Sequence, residues 1–402
     1  MKLFSKGDKA ATRTPKVPNG RKAFEALPLA DRVITFYAED GGSWPHLAPI
    51  VDALVDEFGW SVCYLTSSEQ DPILSAGRPG VRAFFIGEGV KRAFLFQTME
   101  VGVLVATVPQ LGISVLPKSR FAPNLGTTYV YVFHSMASTH MIYEPDGFDH
   151  YDTVLCVGPY MVDEIRAREA HAGLSAKELV EHGYGRLDTI LADAQDASRE
   201  TGATGSKPTV LVAPSWGPTC IFETIGVELV RTLLDGGCRV IARPHPMTAK
   251  KMPRAIEALT EAFASHPDFE LDQDIAAARS LHESDVMVSD WSGAALEYAF
   301  GLERPVVFVD VPRKVNNPDY GELGIEPFEA SVRERIGAVI VPDRLDTLVP
   351  TVTEIVGTSS EWRTRLAQVR SESVYNVGGS GHAAAAVIAA KAEAFVTARG
   401  LR

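Results

Sequence analysis

The chain has 402 residues, which suggests two domains of ordinary size. It is 46% hydrophobic and 22% charged, as a water-soluble globular protein is, and its formal net charge of −12 excludes general nucleic-acid binding. No uninterrupted apolar run is long enough to span a bilayer, and the first sixteen residues lack the apolar core of a signal peptide. The four cysteines, Cys63, Cys156, Cys220 and Cys238, lie far apart without metal-ligand spacing, so no metal site is expected. Cys63, Cys156 and Cys238 fall in apolar runs and read as buried free thiols, which points to the cytoplasm.

Residues 1–28 read as a basic tail without stable structure, followed by an N-terminal domain over 29–200 and a C-terminal domain over 201–402. Residues 1–22 carry seven Lys or Arg against Asp8 alone, a net of +6 on an acidic protein. Two readings stand for the tail: a solubilising segment, or a peripheral attachment to the anionic inner face of the cell membrane.

From Asp31 the pattern alternates strand and helix. Residues 32–39 (RVITFYAE) predict a strand, 47–59 an amphipathic helix, and 60–67 a second strand. Further buried strands are expected at 101–108, 128–135 and 152–158, the last followed by a helix that opens with Pro159. The polar stretch 192–208 contains the interdomain linker in its later part. The pattern then restarts with strands at 209–215, 238–242, 285–290 and 304–310, helices at 224–237 and 292–302, and a long alanine-rich helix from about Gly381. Short apolar runs followed by helices indicate parallel sheets covered on both faces. The expected fold is α/β: two doubly wound, Rossmann-like domains facing a cleft, the architecture of GT-B glycosyltransferases.

The informative polar residues lie just after predicted strands, where parallel sheets bind ligands. In the second half these are Ser215 in "APSWGP", Arg243 and His245 in "RPHP", and Asp290, Ser292, Gly293 and Glu297 in "SDWSGAALE". The flanking prolines hold His245 on a stiff, non-helical loop. Ser292 reads as an N-cap and Gly293 permits close backbone approach; such a helix start is either an ordinary cap or a phosphate site. Arg243 and His245 would add charge-assisted donors to a diphosphate. In the first half, His134 and Ser135 end a buried strand, and a neutral His134 could take a proton from a hydroxyl or be a satisfied strand-end histidine. The Gly-rich loop 38–49 carries Asp40, Trp44 and His46 toward the same cleft, but it is not GxGxxG and is no dinucleotide site.

Six segments in order, over residues 128–385, carry a resemblance: "VFHSMA", "HYDTVLCVGPYMVDEI", "GYGRLD", "VLVAPSW", "RPHP" and "SDVMVSDWSGAALEYAFGLERPVVFVD". The chain resembles the CDP-glycerol glycerophosphotransferase family of teichoic-acid and capsule polymerases and primases. The resemblance implies a GT-B fold and a metal-independent transfer of a polyol phosphate, glycerol phosphate or similar, from a CDP-activated donor. The acceptor would be a hydroxyl of a lipid-linked or polysaccharide molecule in cell-surface polymer synthesis, and no cofactor beyond the nucleotide-activated donor is implied. It makes His134 the base on the acceptor hydroxyl, and gives the donor diphosphate to His245, Arg243 and the helix start at Ser292. Asp290 would position that loop, and Glu297 would reach the ribose or the helix start. Ser135 stands where the family has glycine, Phe133 where it has tryptophan, Gly293 where it has a second serine, and Gly185 where it has proline. Residues before 125 carry no matching segment, so acceptor choice should lie there, with Asp40, Trp44, His46 and Ser135 as acceptor-side candidates. Two alternatives remain: a GT-B glycosyltransferase using a nucleotide sugar, and a catalytically silent module that binds a nucleotide or polymer.

Overall fold

The computed structural model describes residues 20–113, 116–200, 207–273 and 279–401, with side chains described only to residue 194 of the helix that ends at 200. Seven strands form the first sheet: β1 (Ile34–Ala38), β2 (Val62–Thr66), β3 (Val81–Phe85), β4 (Val103–Ala106), β5 (Thr128–Val132), β6 (Thr153–Cys156) and β7 (Glu178–Glu181). Their order is β3-β2-β1-β4-β5-β6-β7, and every pairing is parallel. Six more form the second sheet: β8 (Thr209–Val212), β9 (Arg239–Ala242), β10 (Phe269–Leu271), β11 (Val286–Ser289), β12 (Val306–Val309) and β13 (Gly337–Ile340). That sheet runs β10-β9-β8-β11-β12-β13, again all parallel. In each sheet the order reverses direction once, between β1 and β4 and between β8 and β11, and ligands bind at such switch points outside the strand C-termini.

The interior strands are near-continuous runs of Val, Leu, Ile and aromatic residues because helices cover both faces. All four cysteines are free and buried, and burial pushes the Cys63 and Cys156 thiols up to about 12.

Three differences from the sequence reading have physical causes. Residues Arg21–Glu25 form a helix that buries Phe24 against Phe84, and Arg21 pairs with Glu25 at 3.1 Å, so this end of the expected tail is part of the fold. Residues 1–19 lie outside the described residues. The first long helix begins at Trp44 rather than at Leu47, because Gly41–Ser43 already make a 3-10 turn and Pro45 sits in the first helical turn, where its missing N–H costs nothing. Last, the alanine-rich helix Ser380–Arg399 leaves the second domain and packs on the first: Ala384, Ala385, Ile388 and Ala392 share one buried cluster with Ile34, Phe36, Ile50 and Leu54. Asp188 fixes its start by accepting from the Ser380 N–H (2.9 Å), the Ser380 hydroxyl (2.6 Å) and the Gly378 N–H (2.7 Å). The earlier part of the polar stretch 192–208 continues the helix Gly185–Glu200, and most of the later part, where the linker is expected, lies at 201–206, outside the described residues.

Candidate active site

The C-terminal ends of the two sheets meet across a cleft of about 1030 Å³. Asp40, His46, His134 and Ser135 line it from the first domain, and Ser215, Arg243, His245, Ser292, Gly293 and Glu297 from the second. Trp44 does not line it: on a helix instead of a loop, its ring turns inward and packs edge-on against Tyr64, with centroids 5.5 Å apart.

His134 leaves β5 exposed to the cleft yet walled by protein on most sides, and that desolvation lowers its pKa below the usual histidine value. Its Nδ1 lies 3.1 Å from the Thr107 carbonyl oxygen. A carbonyl can only accept, so Nδ1 carries the proton and Nε2 keeps a bare lone pair. This is the tautomer and charge state of a general base. His46 is buried beside it, with ring centroids 6.3 Å apart, and is held neutral by burial and then by the neighbouring His134.

His245 answers from the other wall. As N-cap of the helix Pro246–Lys251, its Nδ1 accepts from the Met247 N–H at 3.1 Å. Burial, and then the charge of Lys314, hold its pKa down at about 4. The ring is therefore neutral with its proton on Nε2, a donor without charge instead of the charge-assisted donor expected. Arg243 differs more from expectation. It is buried, and its Nη1 donates to Ser280 (2.6 Å) and faces Asp272 (3.4 Å), so its charge is balanced inside the second domain. One cation the sequence reading missed is Lys314, which also lines the cleft and sits 4.5 Å above the Trp216 ring. Trp216 in turn lies 6.2 Å from the His245 ring and carries Lys251 at 4.9 Å.

Asp290 does not reach into the cleft. Buried at 2% exposure, it accepts from the Ser215 N–H (2.7 Å) and the Ile221 N–H (3.1 Å), tying the loop after β8 to the loop after β11. Ser292 caps the helix Gly293–Leu302 by accepting from the Ala294 N–H at 3.3 Å. Glu297, one turn along, is engaged across the domains: Tyr184 Oη and Arg186 Nε each donate to it at 2.8 Å. It is a strut between domains, not a group at the helix start, and its two partners sit in "GYGRLD", which the sequence reading had not counted as site residues. Gly185 between them is tightly placed: a Cβ there would stand 3.2 Å from the His46 carbonyl oxygen and 3.1 Å from Pro49, so those neighbours would have to give by a few tenths of an ångström. Ser135 and Gly293 also meet across the cleft: a Cβ on Gly293 would lie 3.0 Å from Ser135 Oγ.

Among the described residues no group of three or more His, Cys, Asp or Glu is placed to hold a metal ion. Nor, among them, is any helix long and apolar enough to cross a membrane.

Residues 126–313 match the family model described as CDP-Glycerol:Poly(glycerophosphate) glycerophosphotransferase. No curated protein matches the chain. Among solved structures, the wall teichoic acid polymerase TagF, in a histidine-to-asparagine variant, superposes with a TM-score of 0.61 at 12% identity, covering 92% of this chain and 90% of that one. A crystal of that variant soaked with CDPG gives 0.59 at 14% identity, over 93% of each chain. The UDP-GlcNAc 2-epimerase of Methanocaldococcus jannaschii gives 0.55 at 14% identity, over 88% of this chain and 97% of that one. At such identities the likeness is one of fold, and the fold is GT-B-like.

Proposed function

We propose, for a chain whose residues 126–313 carry the glycerophosphotransferase pattern, that it moves glycerol phosphate or a related polyol phosphate from a CDP-activated donor to an acceptor hydroxyl. The observation that supports this best is the pair of complementary histidines. His134 offers a lone pair from one domain, and His245 a neutral N–H from the other. His134 Nε2 takes the acceptor proton, the freed oxygen attacks the phosphorus that bears the polyol, and the bond from that phosphorus to the bridging oxygen breaks. CMP leaves with the electron pair, and its growing charge is met by Lys314, the His245 Nε2–H and the N–H groups at the helix start after Ser292. Protonated His134 then loses its proton to solvent. Phosphoryl transfer needs mainly positioning and charge stabilisation, so these groups suffice. Ser215 and Asp290 hold the donor loops, and Glu297 with Arg186 sets the distance between the walls.

The basic residues of 1–22 are proposed to bring this acidic protein to an anionic bilayer carrying the acceptor.

The test is a thermal-shift panel with CDP-glycerol, CDP-ribitol and UDP-N-acetylglucosamine, followed by CMP release with the donor that binds. Binding to the folded state raises the melting temperature. Stabilisation by a CDP-polyol with CMP release in the presence of an acceptor is expected. Stabilisation by the UDP-sugar alone would replace this reading with nucleotide-sugar transfer.

A further inference from the structure

Arg186, Arg243 and Lys314 are the Arg and Lys side chains that line the cleft. Two of them are balanced by acids: Arg186 Nε donates to Glu297 at 2.8 Å, and Arg243 Nη1 faces Asp272 at 3.4 Å. A carboxylate fixes a cation in place, but it also cancels much of the field that an anionic ligand would feel. Lys314 is held differently. Among the described residues its ammonium makes no hydrogen bond and no ion pair. The acid that acts on it, Asp290, is already engaged by the Ser215 and Ile221 N–H groups.

What faces Lys314 is an aromatic ring. Its Nζ stands 4.5 Å from the centroid of Trp216, within the reach of a cation–π contact. Lys251, the last residue of the helix Pro246–Lys251, brings its Nζ to 4.9 Å from the same centroid, and the His245 ring lies tilted beside it at 6.2 Å. Trp216 does not line the cleft itself. It follows Ser215, whose N–H is tied at 2.7 Å to the buried Asp290, so the base of the ring is fixed. One ring thus gathers side chains from beyond β8, β9 and β12.

The face of an indole attracts an ammonium yet carries no net charge. It can hold Lys314 without neutralising it, which a carboxylate cannot do. The lysine stem is long and flexible, and ordering it only when a ligand arrives costs entropy at that moment. A ring that restrains it beforehand removes part of that cost.

We infer that Trp216 is a positioning residue that presents Lys314, with its charge uncancelled, to the diphosphate of a nucleotide donor. The inference rests on the transferase reading above and adds to it a residue that acts through the lysine alone.

The test is calorimetric binding to the full chain of CDP and of UDP, which share the diphosphate. Lys314→Met weakens the nucleotide that binds by about tenfold or more, a difference of about 1.4 kcal/mol. Trp216→Leu weakens it nearly as much although the lysine is still present, and Trp216→Phe, which keeps an aromatic face, recovers most of the loss. Trp216 is half-buried, so neither change opens the core. Added to Lys314→Met, Trp216→Leu costs about threefold or less, because both changes remove one shared interaction. Unchanged affinity in Trp216→Leu, a loss that Trp216→Phe does not recover, two losses that simply add, or absence of binding by either nucleotide would overturn the inference. CMP release from CDP-glycerol is read separately. Release together with losses that add sinks the role of the ring and keeps the reaction. Coupled losses seen with UDP alone keep the ring and sink the CDP-polyol reading.

Discussion

The two sheets open onto one cleft with opposite charge. Around the ends of β1–β3 stand Glu39, Asp40, Glu69 and Glu88, while across the cleft stand the His245 donor after β9 and Lys314 after β12, with Lys251 over the neighbouring Trp216 ring. Nothing in the strand order distinguishes the two sheets near their switch points, so the fold alone does not set this difference. It comes from the loops, which the scaffold leaves free to vary. The basic wall suits an anionic group. The two histidines, both neutral, present opposite groups to the cleft: His134 is bare at Nε2 and His245 is protonated there.

The sharpest way to break this division is His134→Ala. Turnover should fall about 1,000-fold, within the usual range for a lost general base, while the donor-induced thermal shift persists. Loss of donor binding together with turnover would place His134 on the donor side. His245→Ala should cost roughly 100-fold in rate, the scale of one transition-state donor, and about 1 kcal/mol of stability through the lost cap. His245→Asn can restore the cap without the ring N–H, so stability returning while the rate stays low would separate the two roles. A rate that recovers with Asn would reduce His245 to a cap.

A smaller effect is expected where the walls touch. Gly293→Ala sets a methyl 3.0 Å from Ser135 Oγ, and overpacking of this kind costs about 1–3 kcal/mol. Donor affinity should drop about tenfold or more, and Ser135→Gly in the same chain should restore most of it. An additive double variant would show that the two positions do not meet in the working enzyme.

The mildest test is pH. His46, His182 and His245 are neutral in the fold because burial lowers their pKa, to about 4 for His182 and His245. In the unfolded chain they protonate near pH 6.5, so the unfolded state binds more protons between about pH 6.5 and 4. The stability linked to them is therefore complete above about pH 6.5 and declines as pH falls. Glu329, pushed up to about 7 by burial, works in the opposite sense between its ordinary carboxylate range and pH 7, and offsets part of the loss. The melting temperature should fall from pH 6.5 toward 4.5, less steeply in His182→Leu, whose parent ring has two buried nitrogens without partners. An unchanged slope in that variant would deny His182 its share.

The interior strands were legible and the edges were not. All nine strands read from the sequence lie inside the sheets, and the four missed, β3, β7, β10 and β13, are the four edges. Interior strands are buried on both faces and spell continuous apolar runs. Edge strands such as Glu178–Glu181 and Phe269–Leu271 are short, half-exposed and interrupted by acids, as edges that avoid pairing with other chains must be. The site divides in a similar way. His134, His245, Asp290 and Ser292 stand directly after interior strands, so finding the strand found the residue. Lys314 and Trp216 become a pair only through folding, and Arg243 was misjudged because Asp272 and Ser280 lie about thirty or more positions away. Trp44 followed glycines into an expected loop, although Pro45 had already started the helix.

The return of helix Ser380–Arg399 to the first sheet bears on how this protein is made. The ribosome delivers Ile34 early, but the cover for that strand is encoded after the entire second domain. Domains usually fold in order of synthesis. Here the earlier domain leaves the ribosome with the cluster around Ile34, Phe36 and Ile50 lacking Ala384, Ala385 and Ile388, while the later one can close at once. The sheet that emerges first is thus covered last.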